Sequence, residues 1–205
     1  KPDFVLLPEC FVSSSSMQVN LSTNKTLSAL AQVIQKYHIY GVLGTMRERD
    51  SHKYYTTSVF INRDGSILGK YRKRHLVGAS HSLGDRVGIF DTVYGRVAVI
   101  ICFDIENRGC LEETMQYDPL IVFNPTYIPT GSLSSGSKTG EITAWNVAMS
   151  SMSRQFENLC IEKQCTVLRC DMPGNSLKSN AMGTSQCISP YRTIYAPTRF
   201  PTAFN

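Results

Sequence analysis

The run Arg96-Val97-Ala98-Val99-Ile100-Ile101-Cys102 constrains this chain more than any other feature. From Val97 to Ile101 it is apolar without alternation and mostly β-branched, so a strand made of it must be covered on both faces. That predicts a central strand, reached through the Tyr94-Gly95 turn from Phe90-Asp91-Thr92-Val93 and ending at Cys102. A chain of 205 residues, 42% hydrophobic and 18% charged, has the apolar surface for one sizeable core, so residues 1–205 are expected to form a single domain.

The remaining pattern is of strands and helices in turn. Asp3 to Leu7 reads as a short buried strand stopped by Pro8, which delivers Glu9 at its carboxyl end. A Ser-rich loop, Ser13 to Ser16, leads to a helix over Thr26 to Tyr37 with Leu27, Leu30, Val33 and Ile34 on one side, and a strand over Ile39 to Leu43 follows. Tyr55 to Ile61, the turn Asn62-Arg63-Asp64-Gly65 and Ser66 to Tyr71 read as a hairpin. Beyond Cys102 the sequence predicts a helix over Leu111 to Gln116 and a strand over Leu120 to Phe123 closed by Asn124-Pro125. A Gly/Ser-rich loop over Thr130 to Lys138, a long helix over Gly140 to Lys163 and a strand over Thr166 to Cys170 come next. This is an α/β layered fold, and no repeat or linker divides it.

The formal charge of +5 is concentrated in Lys70-Tyr71-Arg72-Lys73-Arg74-His75, which has few aromatic neighbours and no second patch, so no nucleic-acid partner is expected. No apolar run approaches the ~20 residues of a membrane span and no secretory leader is read at the start, so the chain reads as soluble, with no membrane partner. Seven cysteines is an odd count, which argues against a full disulfide framework and for a reducing, cytoplasmic location. The sequons Asn20-Leu21-Ser22 and Asn24-Lys25-Thr26 keep a secreted origin as the alternative. The five-residue spacing of Cys160, Cys165 and Cys170 is not a zinc pattern, and His38, His52, His75 and His81 form no ligand grouping, so no metal is expected.

This reading leaves Glu9 and Cys102 at strand ends and Lys73 just past one. Singly, each has a duller explanation: a buried cysteine is usually inert packing, a strand-end carboxylate a solvated charge, a lysine in a basic run a surface residue. Together they make a set. Amide carbonyls are poor electrophiles, and their cleavage calls for an ionisable nucleophile, a base and a cation where negative charge develops. The other six cysteines have no such context and are assigned to packing or surface.

The words Leu7-Pro8-Glu9, Gly69-Lys70-Tyr71-Arg72-Lys73-Arg74-His75-Leu76 and Val97 to Cys102-Phe103-Asp104 resemble the nitrilase-like carbon–nitrogen hydrolase family. Trp145 with Arg154-Gln155-Phe156-Glu157-Asn158, and Gly183-Thr184-Ser185-Gln186-Cys187-Ile188-Ser189-Pro190, are similar to its long helix and a late strand, in family order. The resemblance implies two packed β-sheets covered by helices, an α-β-β-α sandwich, usually as a dimer across one helical layer. It implies a cofactor-free hydrolase of a small amide, carbamoyl or nitrile compound. Cys102 would attack, Lys73 and the backbone N–H of Phe103 would hold the oxyanion, and Glu9 would act as base and acid. A scaffold kept for assembly or binding, with catalysis impaired, is the alternative. Two departures from the family pattern are visible. The chain begins almost on the Glu word, where relatives have an upstream strand and helix, so the domain reads as N-terminally incomplete. The usual second Glu between the Lys and Cys words is also missing: residues 74–101 contain none, with Ser82 near its place. His81 and Asp85 are the candidate stand-ins, and without one the ammonium of Lys73 is expected to have a lowered pKa.

Overall fold

The computed structural model describes residues 1–11, 19–20, 22–75, 81–127, 156–176, 179–182 and 185–195. The first half runs β1 (Phe4–Leu6), α1 (Lys25–Tyr37), β2 (Tyr40–Asp50), β3 (Lys53–Ile61), β4 (Ile67–Arg72). The second runs β5 (Ile89–Thr92), β6 (Gly95–Val99), a 3-10 turn (Cys102–Ile105), α2 (Arg108–Met115), β7 (Ile121–Thr126), α3 (residues 156–163) and β8 (Thr166–Asp171). It ends with β9 (Pro173–Ser176), β10 (Ser179–Met182), β11 (Gln186–Ile188) and β12 (Thr193–Tyr195).

The strands form a four-stranded sheet, β1-β2-β3-β4, a six-stranded sheet, β12-β11-β8-β7-β6-β5, and a separate pair, β9 with β10. Three apolar clusters define the layers. Tyr40, Val42, Phe60 and Tyr71 of the first sheet meet Val97, Val99 and Phe123 of the second, with Phe4 against them. On the outer face of the first sheet, Leu27, Ala31 and Ile34 of α1 cover Leu43, Val59 and Ile61. On the outer face of the second, Met115 of α2 and Phe156 and Cys160 of α3 cover Ala98, Val122 and Val167. The fold is the α-β-β-α sandwich that the family resemblance implied.

The apolar run is central, as its composition required: β6 lies between β5 and β7. Its ladder stops at Val99, earlier than read, and Ile100 and Ile101 carry the chain into the 3-10 turn. Helix α1 starts because the Asn24 side chain accepts the Leu27 N–H (3.1 Å), so the asparagine of the second sequon serves here as a helix cap. The strand read over Ile39 to Leu43 continues to Asp50 and folds back on β3 through a turn at Ser51, which has φ 56°. Asn124-Pro125 does not close β7; the strand runs through both to Thr126, pairing with β8 alone after β6 has left the ladder at Val99. The Ser-rich loop, the Gly/Ser-rich loop, the long helix before residue 156 and the words at Leu76, Trp145, Arg154-Gln155 and Gly183-Thr184 lie outside the described residues.

Candidate active site

Both sheets contribute to one polar centre. Glu9 leaves β1 through Pro8, against which β2 passes so closely that a Cβ on Gly44 would lie 1.9 Å from the Pro8 carbonyl oxygen. Gly44 also has φ +28°, so any side chain there would displace the segment that carries Glu9. Lys73 follows β4 immediately: its N–H donates to the Thr56 carbonyl (2.8 Å), and its own carbonyl accepts from Gly84 N–H (2.9 Å). The two side chains meet inside the protein, Lys73 Nζ donating to Glu9 Oε1 at 2.8 Å, with the residues only 7% and 6% exposed. Glu9 Oε2 accepts the Tyr127 N–H (3.1 Å) and Glu9 N–H donates to the Thr126 carbonyl (3.3 Å), so the carboxylate is anchored to the end of β7.

Cys102 is delivered from the second sheet. It opens the 3-10 turn with φ 45°, a left-handed conformation that a side-chain-bearing residue adopts at a cost of about 1–3 kcal/mol. Asn124 fixes the bend, its Nδ2 donating to the carbonyls of Ile100 (2.8 Å) and Cys102 (3.3 Å), and Thr126 Oγ1 donates to Asn124 Oδ1 (2.9 Å). The thiol donates weakly to the Tyr127 carbonyl (3.9 Å). Burial pushes the thiol up to about 12, with Glu9 adding to the rise and Lys73 opposing it, so the resting group is the protonated thiol. Burial also weighs against the charge on Lys73, but Glu9, then Cys102 and Asp104, outweigh it and hold the ammonium above its ordinary pKa. The direct ion pair with Glu9 compensates the buried ammonium, which stays above the ordinary lysine value in a chain whose residues 74–101 hold no Glu.

Lys73, not Lys70, is the lysine that meets Glu9. Lys70 binds Glu48 (2.5 Å), Arg72 binds Glu48 (2.8 Å) and Asp50 (2.5 Å), and Arg74 binds Glu113 (2.6 Å). The basic run is largely spent on intramolecular pairs. Phe103 is 44% exposed, and no hydrogen bond among the described residues uses its backbone N–H. His81 is one residue removed from the centre, its Nδ1 sharing a hydrogen bond with Thr56 Oγ1 (2.9 Å), while the Thr56 carbonyl takes the Lys73 N–H. Asp85 lines a shallow polar cavity of about 310 Å³ with Asp50, Lys70, Arg72 and Arg86. Among the described residues, neither His81 nor Asp85 forms a hydrogen bond or ion pair with Glu9 or Lys73.

A carbon-nitrogen hydrolase family model matches residues 1–199. This chain belongs to the carbon-nitrogen hydrolase family. Its relatives include an omega-amidase of Xenopus laevis, 32% identical over 132 residues that cover 52% of this chain and 48% of that protein. An omega-amidase of Saccharomyces cerevisiae is 34% identical over 130 residues, 51% of this chain and 45% of the relative. The match thus spans about half the length of these curated relatives. Two crystal structures share the fold. Nit3 of Saccharomyces cerevisiae, a nitrilase-superfamily member, has a TM-score of 0.76 at 24% identity, over 96% of this chain and 73% of that one. An amidase from Nesterenkonia, solved as a single-residue mutant with the acetamide moiety of fluoroacetamide added covalently at its active-site cysteine, has a TM-score of 0.70 at 16% identity, over 92% and 70%.

Several residues of this hydrolase-family centre were not singled out by sequence reasoning. Asp104 had a signal, its place two residues after the cysteine, but a buried aspartate gives no sign of its partners. Cys10, set aside as packing or surface, has φ 61° and stands in the field of Glu9 and Lys73; its thiol is pushed up to about 11, by burial first and then by Glu9. Arg169 of β8 pairs in register with Asn124 of β7 and is 4% exposed, and among the described residues its Nε has no hydrogen-bond partner. Burial lowers its pKa, and Asp171, the Cys102 thiol and Glu106 are the ionisable groups around it. A lone arginine in an apolar strand gave no warning of this.

Proposed function

We propose that this chain hydrolyses a small non-peptide amide through a thioester on Cys102. The observation that carries the reading is the buried Glu9–Lys73 pair, held at 2.8 Å by the first sheet and set against a cysteine that the second sheet holds at a bend with φ 45°. In the first step the Cys102 thiol gives its proton to Glu9 as sulfur attacks the carbonyl carbon, so no free thiolate is needed before substrate arrives. Oxygen becomes negative. Lys73, which keeps its proton, and the backbone N–H of the half-exposed Phe103 take up that charge. Glu9 then returns the proton to the departing nitrogen, the C–N bond breaks and ammonia or an amine leaves. Glu9 next takes a proton from water, whose oxygen attacks the thioester; the C–S bond breaks, the acid leaves, and Glu9 returns that proton to the departing sulfur, restoring the thiol. The Xenopus laevis and Saccharomyces cerevisiae relatives are omega-amidases, and the Nesterenkonia amidase carries an acetamide moiety on its cysteine, which agrees with amide ahead of nitrile as the substrate class. A cytoplasmic homodimer is the accompanying expectation from the cysteine usage and the family resemblance.

Ammonia release from a panel of small aliphatic amides and the matching nitriles, using wild type and Cys102→Ala, tests the reading. Release from amides by wild type and none by Cys102→Ala is expected, because alanine fills a similar small volume while removing the nucleophile. Equal release by both proteins would sink the mechanism. Inertness of the wild type toward the whole panel would favour the binding or assembly role instead.

A further inference from the structure

The chemistry proposed above needs Lys73 and Cys102 in fixed relation, yet they come from different sheets and no described hydrogen bond joins their side chains. Asp104 supplies the missing connection. It lies two residues after Cys102 in the same 3-10 turn, fully buried, with its own N–H donating to the Ile101 carbonyl (2.9 Å). Its carboxylate crosses to the first sheet and closes around Lys73 on both sides. Oδ2 accepts the Tyr71 hydroxyl (2.7 Å), two residues before Lys73. Oδ1 accepts the His75 N–H (2.6 Å), both oxygens accept the Arg74 N–H (3.2 Å each), and the His75 ring Nδ1 lies 3.3 Å from Oδ1.

A carboxylate buried completely is costly unless donors surround it, and here every donor among the described residues comes from the segment that bears Lys73. Burial and the neighbouring carboxylate keep the Tyr71 phenol protonated, so it remains a donor. The Arg74 guanidinium does not share this role; it turns to Glu113 (2.6 Å) and Cys110 Sγ (3.9 Å). A carboxylate that served only to cap its own turn would spend its oxygens on nearby N–H groups of that turn. This one spends them 29 to 33 residues away in sequence.

We propose that Asp104 is a positioning residue that locks the backbone on either side of Lys73 to the nucleophile's turn, and so sets the ammonium against the Cys102 sulfur. The inference rests on the reading of Glu9, Lys73 and Cys102 as the reacting groups, and its test uses no substrate, so the two can fail separately. The readout is the rate at which iodoacetamide alkylates Cys102, resolved from the other cysteines by peptide mass spectrometry. Wild type, Asp104→Asn, Lys73→Ala and the double variant are compared, with a thermal melt for each.

Removing a carboxylate near a thiol would by itself favour the thiolate and speed alkylation. Loss of positioning predicts the opposite sign: Asp104→Asn slows the reaction by at least about tenfold, since the charge-assisted bonds from three residues, Tyr71, Arg74 and His75, are weakened. In the Lys73→Ala background the same change should alter the rate by no more than about twofold, because the group it positions is gone. An unchanged or faster rate in Asp104→Asn overturns the proposal. So does a full tenfold loss that persists without Lys73, which would mark a purely structural role. If Asp104→Asn does not melt cooperatively, Tyr71→Phe removes one donor and keeps the charge; a rate lower by roughly threefold supports the lock, and an unchanged rate overturns it.

Discussion

At the scale of single residues, the centre is built from groups whose burial would be unfavourable singly. Glu9 and Lys73 are both buried and offset one another at 2.8 Å, so removing either leaves an uncompensated charge. Lys73→Ala is therefore expected to lower amide turnover by at least ~100-fold, the scale for losing one oxyanion-stabilising group, while Lys70→Ala leaves turnover within a few-fold of wild type. Steady-state rates for the two variants decide the register: a sensitive Lys70 and an insensitive Lys73 would refute it. Glu9, Lys73 and Cys102 were legible because each sits at a strand boundary inside a motif word. Asp104, Asn124 and Arg169 were not, because their roles depend on partners in other elements: Asp104 on Tyr71, Arg74 and His75, Asn124 on the Cys102 bend. A short polar side chain in sequence carries no mark of which distant backbone it will meet.

At the scale of elements, the instructive case is the β2–β3 hairpin. Arg47-Glu48-Arg49-Asp50 lies beyond the strand read over Ile39 to Leu43, yet it is the end of an eleven-residue strand. Glu48 explains this, being 2% exposed and bound to Thr57 (2.7 Å), Lys70 (2.5 Å) and Arg72 (2.8 Å), so the cost of burying its charge is offset by cross-strand partners on β3 and β4. Hydrophobic periodicity cannot see a strand held by a buried ion cluster, and the turn at Ser51 carries no glycine to announce it. Burial works against the Glu48 charge, but the bonds from Arg72, Lys70 and Thr57 prevail and hold its pKa at about 2, against 4.5 ordinarily. A depressed carboxylate contributes stability above its unfolded pKa and loses it as pH falls through the folded value. Glu48→Gln should thus melt lower than wild type by a constant margin above pH ~5, equivalent to roughly 2 kcal/mol, with the margin shrinking between pH 4.5 and 2. Thermal melts of both proteins across that range check it; a margin independent of pH would mean the charge on Glu48 contributes nothing.

At the scale of the whole molecule, the sandwich brings together the residues of the proposed chemistry. Glu9 and Lys73 ride on the first sheet and Cys102 on the second, and the aromatic layer between them, with Phe4, Tyr40, Phe60 and Phe123 in contact, fixes the distance across which they face each other. The layered class was readable from alternating strands and helices. The crossing of the site between sheets was not, because topology emerges only when β6 pairs with β7 and β1 with β2. The central claim is that this arrangement acylates Cys102, and intact-protein and peptide mass spectrometry test it most directly. Wild type, quenched in acid during turnover, and Cys102→Ala are exposed to the same series of small amides. The account predicts an added acyl mass matching each accepted amide, mapped to the peptide containing Cys102 and absent from Cys102→Ala; the same mass on another cysteine, or in equal yield in Cys102→Ala, would contradict it.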